Sequence, residues 1–209
     1  MKRVGLFGGS FNPIHLGHLI LAETARVQYD LDWVVFIPNH LPPHRHPNQA
    51  DWASDEDRFQ MCSLAVEGNP FFQVSRIELE RPGVSYTYDT VAQLKGKNQD
   101  TSYFFICGSD ALTKYRWYRF EDLLEILESF LVACRGLEGK EGLFAKVKSE
   151  YPQFLQKIRD VQMPQVEISS TLIRQKIQKK ESIRYLVPDG VVEYIETHQL
   201  YRRSQHEYT

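Results

Sequence analysis

Two histidines three residues apart, His15 and His18, follow a glycine-rich segment that begins at Gly8 and Gly9. This segment comes directly after an apolar run at residues 4–7 that predicts a β-strand, and a helical pattern begins near residue 16. A tight turn between a strand and a helix presents backbone N–H groups and the positive end of the helix dipole to an anion. Histidines at this spacing lie on one face of the first helical turn. The pattern therefore predicts a phosphate site and phosphoryl or nucleotidyl chemistry.

These histidines have a plainer interpretation, in which they only cap the helix or pack against it. The strand, the glycines and Pro13 precede them in order, and this favours the phosphate site. The spacing departs from the Gly-x-Gly-x-x-Gly fingerprint of dinucleotide-binding enzymes, which argues against hydride transfer. Gly17, between the histidines, has no side chain and lets a ligand approach the backbone closely.

A second polar cluster lies near the other end of the chain. Ser169 and Thr171 follow residues 166–168, which we predict to be a short last strand, and they open a helical pattern. Arg174 projects from the first turn of that helix and offers a rigid fork of donors to phosphate oxygens. An ordinary helix cap beside a surface arginine would give the same pattern. The interpretation of this cluster as a phosphate site therefore depends on the presence of the first motif.

A third candidate is the proline- and histidine-rich loop that follows the predicted strand at residues 33–37. Asn39 comes first, and prolines then stiffen the segment and hold His44 and Arg45 outward. A metal site built from His40, His44 and His46 is an alternative, but no cysteine or carboxylate within the loop completes it. We therefore predict no protein-held metal.

Composition limits the class of protein. The chain has 209 residues, of which 42% are apolar and 25% charged, as in ordinary globular proteins. A net charge of −2 offers no bulk attraction to nucleic acid or to acidic membranes, so we expect neither as a partner. The odd number of widely spaced cysteines indicates reduced thiols, and no apolar run is long enough to span a bilayer. We expect a cytoplasmic protein, and a homo-oligomer is left open.

Alternating buried strands and helices predict an α/β fold with a doubly wound, mainly parallel sheet. We expect one domain over residues 1–209, with a closing helical segment at about 170–200. The strands are predicted at residues 3–7, 33–37, 71–77, 103–107, 130–134 and 166–168. Residues 136–160 show no sheet pattern and are interpreted as a variable excursion. Ligands of such sheets bind at the carboxyl ends of the strands, so the glycine turn, Asn39 and Gly108 are expected to converge.

These motifs resemble those of a known superfamily. His15-Leu16-Gly17-His18 resembles the His-x-Gly-His signature of the nucleotidyltransferases, and residues 168–174 are similar to their Ile-Ser-x-Thr-x-Ile-Arg motif. Residues 38–45, 82–90, 108–110 and 117–118 narrow the resemblance to the bacterial nicotinate-nucleotide adenylyltransferases.

The resemblance implies a Rossmann-like nucleotidyltransferase fold and transfer of the adenylyl group of ATP to nicotinate mononucleotide. The products would be nicotinate adenine dinucleotide (deamido-NAD) and pyrophosphate, a step of NAD biosynthesis, with Mg²⁺ accompanying the ATP. The catalytic residues implied are His15, His18 and Arg174. The other residues implied to bind ATP are Gly8, Gly9, Ser10, Phe11, Gly108, Asp110, Ser169 and Thr171. Those implied to bind the mononucleotide are Asn39, His44, Arg45, Thr87, Trp117 and Tyr118.

Other substrates and one other class of protein remain as alternatives. A related enzyme could act on nicotinamide mononucleotide or on phosphopantetheine, and a non-catalytic nucleotide sensor could share the fold. By the resemblance, the Thr87 hydroxyl and the backbone N–H groups at Trp117 and Tyr118 hold the nicotinate carboxylate. Donors satisfy a carboxylate but leave an amide NH₂ unpaired, so we expect the acid to be preferred. We also expect no protein carboxylate within hydrogen-bond reach of the pyridine substituent.

Overall fold

The computed structural model describes residues 1–43, 52–114, 116–134 and 136–202. The predicted site residues His44 and Arg45 lie outside these ranges, so their proposed contacts stay predictions. No helix in the described ranges is long and apolar enough to cross a membrane.

The core of the fold is a six-stranded sheet in which every pair of neighbours is parallel. Its strands are β1 (Lys2–Gly9), β2 (Trp33–Pro38), β3 (Phe72–Val74), β4 (Thr101–Gly108), β5 (Ser129–Ala133) and β6 (Ile158–Asp160). The spatial order is β3-β2-β1-β4-β5-β6, so the direction of winding reverses between β1 and β4. The predicted α/β class and parallel sheet are confirmed, and the reversal marks the crevice where such sheets bind ligands.

Helices cover both faces of the sheet because successive strand residues point to opposite sides. They are α1 (Leu16–Gln28), α2 (Asp55–Val66), α3 (Thr87–Lys97), α4 (Ser109–Lys114), α5 (Phe120–Ile126), α6 (Gly136–Glu150), α7 (Ser170–Gln178) and α8 (Asp189–Thr197). Phe7 and Phe36 pack with α1, α2, α7 and α8 on one face. Leu6 and Phe105 pack with α3, α5 and α6 on the other. Each face therefore has its own buried core.

The interpretation of residues 136–160 as an excursion without sheet structure is wrong. This segment forms α6, a 3₁₀ helix at Pro152–Lys157, and the edge strand β6. Leu143 and Val147 of α6 are buried at i, i+4 spacing, and Ile158 of β6 is buried beside Phe130. A strand of only three residues is too short to show an alternating pattern, so the sequence concealed it.

The predicted strand at residues 166–168 is also wrong. These residues lie outside the sheet and line a cavity that is also lined by His15 and His18. Val166 and Ile168 line the cavity wall and are not part of the sheet, and their alternating spacing does not by itself distinguish these two roles. The strand predicted at residues 71–77 is shorter than expected, since β3 pairs with β2 only over Phe72–Val74.

Candidate active site

Two adjoining cavities open at the carboxyl ends of β1 and β4. The first has a volume of about 630 Å³ and is lined by His15, His18 and Thr171 among others, and we name it the phosphate cavity after the ligand predicted for these residues. The second has a volume of about 550 Å³ and is lined by Trp117 and Tyr118 among others, and we name it the mononucleotide cavity on the same basis. The residues that line both are Gly8, Ser10, Cys107 and Ala111. The two cavities therefore share a wall at the position where the sheet reverses.

Most of the described residues that were predicted to bind ligands line one of these cavities. The phosphate cavity contains Gly8, Ser10, Phe11, His15, His18, Gly108, Ser169 and Thr171. The mononucleotide cavity contains Gly8, Gly9, Ser10, Asn39, Thr87, Trp117 and Tyr118. Arg174 and Asp110 are not among the lining residues of either cavity. The structure thus brings the two ends of the chain together, while the role of each residue toward a ligand stays a prediction.

Gly8 and Gly9 belong to β1, where they pair with Ile37 and Pro38, and not to the turn that we predicted. A Cβ atom at Gly8 would lie 3.2 Å from the Phe105 ring, so a side chain here would press on that ring and glycine avoids this contact. The turn itself begins at Ser10. A Cβ atom at Gly17 would lie 3.1 Å from Nδ1 of His15, which shows that Gly17 also makes room for a protein side chain.

The rings of His15 and His18 stack with their centroids 3.6 Å apart. The His15 backbone N–H donates to Nδ1 of His18 at 3.2 Å, so a neutral His18 ring carries its proton on Nε2. Burial lowers the pKa of His15 to about 4, and burial together with the charge of His15 lowers the pKa of His18 well below its ordinary value. Both rings are therefore neutral near pH 7. The capping interpretation accounts for one nitrogen of His18 and leaves Nε2–H as a donor.

The second ring also has an unused polar atom. Nδ1 of His15 is buried and has no hydrogen-bond partner among the described residues. His15 is only 7% exposed, so the nitrogen is not satisfied by open solvent at the surface. A buried nitrogen without a partner is costly unless a ligand meets it.

The turn after β1 is held by residues from distant parts of the chain. The Asn12 side-chain oxygen accepts hydrogen bonds from the Ala53 backbone N–H at 3.0 Å and from the Tyr201 hydroxyl at 2.9 Å. The Ser170 hydroxyl donates to the Pro13 carbonyl at 2.8 Å. Tyr201 is buried, and sequence reasoning missed it because nothing in the local pattern at residue 201 indicates a contact with residue 12.

Arg174 supports this turn from behind. Its guanidinium is buried, and Nη1 donates to the Asn12 carbonyl at 2.8 Å. Ser169 caps α7 by accepting from the Leu172 N–H at 3.2 Å, as its position in the motif predicts. The contacts of Arg174 that the structure gives are thus with the protein, and a direct bond from its guanidinium to phosphate stays a prediction.

The indole of Trp117 belongs to the core and to the mononucleotide cavity at once. Nε1–H donates to the Ala111 carbonyl at 2.8 Å, and the ring meets Phe105 and Phe130 edge to face. Because these contacts fix the plane of the indole, the Trp117 ring forms a flat apolar part of the cavity wall. Tyr118 is half exposed and packs against Tyr86 with their ring centroids 4.4 Å apart.

Sequence reasoning missed Glu78, which is buried and lines the mononucleotide cavity. Thr90 Oγ1 donates to its carboxylate at 2.7 Å, and Ser85 also hydrogen-bonds to it. Burial raises the pKa of Glu78, while these hydroxyls act in the opposite direction. In the sequence, Glu78 stands in a charged run that is typical of a solvated surface, so no local signal distinguishes it. Ser85 and the exposed Arg116 are two further lining residues that were not predicted.

The described residues contain no group of three or more histidine, cysteine or acidic side chains arranged to hold a metal ion. His40, one of the loop histidines, contacts the Asp55 carboxylate instead. The other two histidines of that alternative, His44 and His46, lie outside the described ranges.

Comparisons with known proteins agree with this geometry. The family model described as cytidylyltransferase-like matches residues 6–176. A Bacillus subtilis protein named nicotinate-nucleotide adenylyltransferase is 36% identical over 96% of this chain and 99% of its own length. A Geobacillus thermodenitrificans protein named "probable nicotinate-nucleotide adenylyltransferase" is 40% identical over 96% of this chain and 87% of its own length.

The fold has solved counterparts. The Plasmodium falciparum nicotinic acid mononucleotide adenylyltransferase, solved in complex with NaAD, superimposes with a TM-score of 0.75 at 19% identity. The match covers 96% of this chain and 98% of that one, and it supports the fold alone at this level of identity. The family model and the sequence relatives confirm the predicted superfamily. The chain belongs to the nicotinate-nucleotide adenylyltransferase family, within the cytidylyltransferase-like nucleotidyltransferases.

Proposed function

We propose that this chain transfers the adenylyl group of ATP to nicotinate mononucleotide, with one substrate in each of the two cavities. Family membership supports the reaction. The observation that carries the assignment of the cavities is their shared wall at Gly8 and Ser10. ATP in the phosphate cavity and the mononucleotide in the other would present their reacting phosphates to each other across this wall.

The reaction needs alignment and charge stabilisation more than it needs a protein base. A mononucleotide phosphate has a second pKa of about 6, so it is mostly a dianion at neutral pH. One of its oxygens attacks the α-phosphorus of ATP, a new P–O bond forms, and the bond to the β-phosphate oxygen breaks as pyrophosphate leaves. The neutral His18 donates from Nε2–H toward the phosphates. The His15 ring lies beside it in the same cavity, and its Nδ1, which has no partner among the described residues, is free to meet the ligand. Donors that are already fixed in place stabilise the developing charge without reorganisation.

Mg²⁺ enters this proposal as part of the substrate, bound to the phosphates of ATP. The phosphate cavity is lined by histidine and hydroxyl side chains, which suit phosphate oxygens. Glu167 is the one carboxylate among its described lining residues, and a single carboxylate does not make a cage for a hard cation. The described residues do not offer a ligand set for a resident ion, so no step is assigned to a protein-held metal.

We expect the substrate preference to depend on the mononucleotide cavity. Trp117 offers a flat face to a pyridine ring, and the Thr87 hydroxyl lies in the same cavity. Glu78 also lines this cavity and keeps acceptor capacity beyond its bonds from Thr90 and Ser85, so the absence of a carboxylate near the pyridine substituent stays a prediction. The Thr87 hydroxyl supports the prediction that donors meet this substituent and that the acid is preferred to the amide by well over tenfold.

Pyrophosphate release tests the function directly. The purified chain is assayed with Mg²⁺-ATP and, in turn, nicotinate mononucleotide, nicotinamide mononucleotide and phosphopantetheine. We expect the highest kcat/KM with nicotinate mononucleotide. Equal use of the acid and the amide would contradict the assignment of the pyridine pocket. Tight ATP binding without turnover of any acceptor would favour the sensor alternative.

A pair of variants makes the test specific to the cavity. Thr87→Val keeps the shape of the side chain and removes its hydroxyl, so we expect the preference for the acid to fall. Thr24→Val is the control, because the Thr24 hydroxyl donates to the Ile20 carbonyl within α1 and lines neither cavity. An unchanged preference in Thr87→Val would remove the hydroxyl from the proposed contact.

A further inference from the structure

Arg58, in α2, is one of the largest fully buried side chains in the described residues, although it carries a charge. Its Nη1 donates to the Ser10 carbonyl at 2.8 Å, and its Nη2 donates to the Asn39 carbonyl at 2.6 Å. Nη2 also meets the Asp55 carboxylate at 2.5 Å. A buried charge is costly unless it is paired and hydrogen-bonded, so this arrangement calls for a reason.

The two carbonyls lie where β1 and β2 stop pairing. The last backbone bond between these strands runs from the Asn39 N–H to the Gly9 carbonyl at 3.0 Å. Beyond this bond, no strand in the described part of the chain pairs with the carbonyls of Ser10 and Asn39. The Arg58 guanidinium donates to both carbonyls and so links the two segments after the strand ladder has ended. Its planar fork holds two acceptors at a set spacing, which a lysine ammonium does not do.

Ser10 and Asn39 belong to different parts of the site. Ser10 lines both cavities, whereas Asn39 lines the mononucleotide cavity. The Asn39 side-chain oxygen is buried and has no partner among the described residues, while its Nδ2 lies 3.5 Å from the Ser10 hydroxyl. The distance between these two turns therefore sets the position of a ligand bound at Asn39 relative to phosphates bound in the phosphate cavity past Ser10.

The same helix extends this support around the cavity rim. The Asp55 carboxylate that pairs with Arg58 also contacts His40 Nδ1. The His40 backbone N–H then donates to the Ser85 hydroxyl at 3.0 Å, and Ser85 hydrogen-bonds to Glu78. Arg58 thus stands at the inner end of a polar chain that reaches the wall of the mononucleotide cavity.

We infer that Arg58 is a positioning residue that sets the spacing between the Ser10 and Asn39 turns and so aligns the two reacting phosphates. The inference rests on the adenylyl transfer proposed above. An in-line attack tolerates little displacement, and a shift of about 1 Å costs about 10²-fold in rate. Arg58 touches neither cavity, so its effect falls on alignment and not on the binding of either substrate alone.

The test compares Arg58→Lys with Arg76→Lys. Arg76 is a matched control because it makes two bonds, at 2.8 and 2.9 Å, to Glu56 of the same helix α2, but it does not line either cavity. For each folded variant we measure kcat, the Kd of a non-hydrolysable ATP analogue, the Kd of nicotinate mononucleotide, and the Kd of the dinucleotide product. The product is the informative ligand because it spans both cavities.

For Arg58→Lys we expect kcat to fall by about 10²-fold and product affinity to fall by about tenfold or more. The affinity for each single substrate should stay within about threefold, and Arg76→Lys should match the wild type. A kcat within twofold of the wild type in folded Arg58→Lys would overturn the inference. The inference would also be overturned if both single-substrate affinities fell equally and the product affinity fell no further than they account for.

A second variant keeps the inference testable if Arg58→Lys does not fold. Asp55→Asn keeps the guanidinium and both carbonyl bonds but removes the charge that anchors them. We expect kcat to fall by about tenfold, while the affinity for each single substrate stays within about threefold. A loss of activity that only follows the folded fraction would show a structural role and end the inference. A wild-type protein that releases no pyrophosphate would instead contradict the proposed function itself.

Discussion

The two sides of the active site are held in place by different means. On the phosphate side, the turn at residues 10–15 is packed into an apolar core and tied to the end of the chain. Phe11 is buried, and its ring meets the edges of Phe7 and His18 with centroids 5.5 and 5.1 Å away. Arg174 and Tyr201 reach the same turn from 162 and 189 residues away in sequence.

On the mononucleotide side, the ends of β2 and the segment at residues 78–90 are joined mainly by polar groups. The chain of contacts runs from Arg58 through Asp55, His40 and Ser85 to Glu78. Tyr118 at the rim is half exposed. The difference follows from the two tasks: charge stabilisation needs donors that do not move, whereas recognition of a mononucleotide needs an apolar face for the ring and a few placed polar groups for its substituents.

The largest expected effect is on the phosphate side. His18→Ala removes a fixed donor, so we expect kcat to fall by about 10²–10³ while the fold survives. His18→Asn separates the donor from the cap, because its side-chain oxygen can still accept from the His15 N–H; we expect a similar loss. His198→Ala changes an exposed histidine and should have normal turnover. Normal turnover in folded His18→Ala would remove the central assignment. His15→Ala should show a smaller loss than His18→Ala.

Arg174→Ala should affect ATP and leave the mononucleotide almost unchanged. The substitution leaves the buried Asn12 carbonyl without the Nη1 donor, which costs about 1–3 kcal/mol and loosens the phosphate turn. We expect the KM for ATP to rise about tenfold and the KM for nicotinate mononucleotide to stay within about threefold. Steady-state kinetics with each substrate varied in turn decides it. Equal increases in both KM values would mean that the two sides are not held separately.

The phosphate side should also make the stability of the protein depend on pH. The pKa of His15 is about 4 in the folded state and 6.5 in the unfolded chain, so the unfolded state binds more protons between these values. Stability due to this group is present near pH 7 and falls as the pH drops. Its share of the free energy of unfolding should be about 2 kcal/mol smaller at pH 5 than at pH 7. Urea unfolding of wild type and His15→Asn at both pH values measures this share, since asparagine keeps a favourable N-cap without titrating.

The smallest effect is expected on the mononucleotide side. Ser85→Ala breaks the connection between His40 and Glu78, and one hydrogen bond of this kind is worth about 1 kcal/mol. The KM for nicotinate mononucleotide should rise roughly fivefold, and the KM for ATP should not change. Ser63→Ala is the control, because its hydroxyl donates only within α2, to the Phe59 carbonyl. A rise in the KM for ATP would show that the polar chain also supports the phosphate side.

Local patterns were sufficient for much of the fold. The cap of α2 is an example: Ser54 and Asp57 have the spacing of a capping box, and the structure contains both of its hydrogen bonds. The apolar strands β1, β2, β4 and β5 were found because at least half of the residues in each are buried, and these are mainly apolar. The edge strand β6 was missed because a single buried residue, Ile158, anchors only three residues.

Site residues divide in the same way. Those that belong to a motif, such as His15 and His18, could be found because their spacing along the chain already implies a common face of a helix. Arg58, Glu78 and Tyr201 could not be found, because their partners are distant in sequence and no periodicity links them. In the sequence, Glu78 and Arg58 both resemble surface charges; burial alone gives them their importance.

The sequence by itself determined the alternation of the first five strands with helices, the family and the motifs that line the two cavities. These features depend on local periodicity and on residue types within a few positions of one another. Only the tertiary structure decided that Arg174 supports the turn from behind, that the histidine rings are neutral and stacked, and that Arg58 joins two turns. Each of these depends on burial and on distances between segments far apart along the chain, which are set when the sheet assembles and both faces are packed.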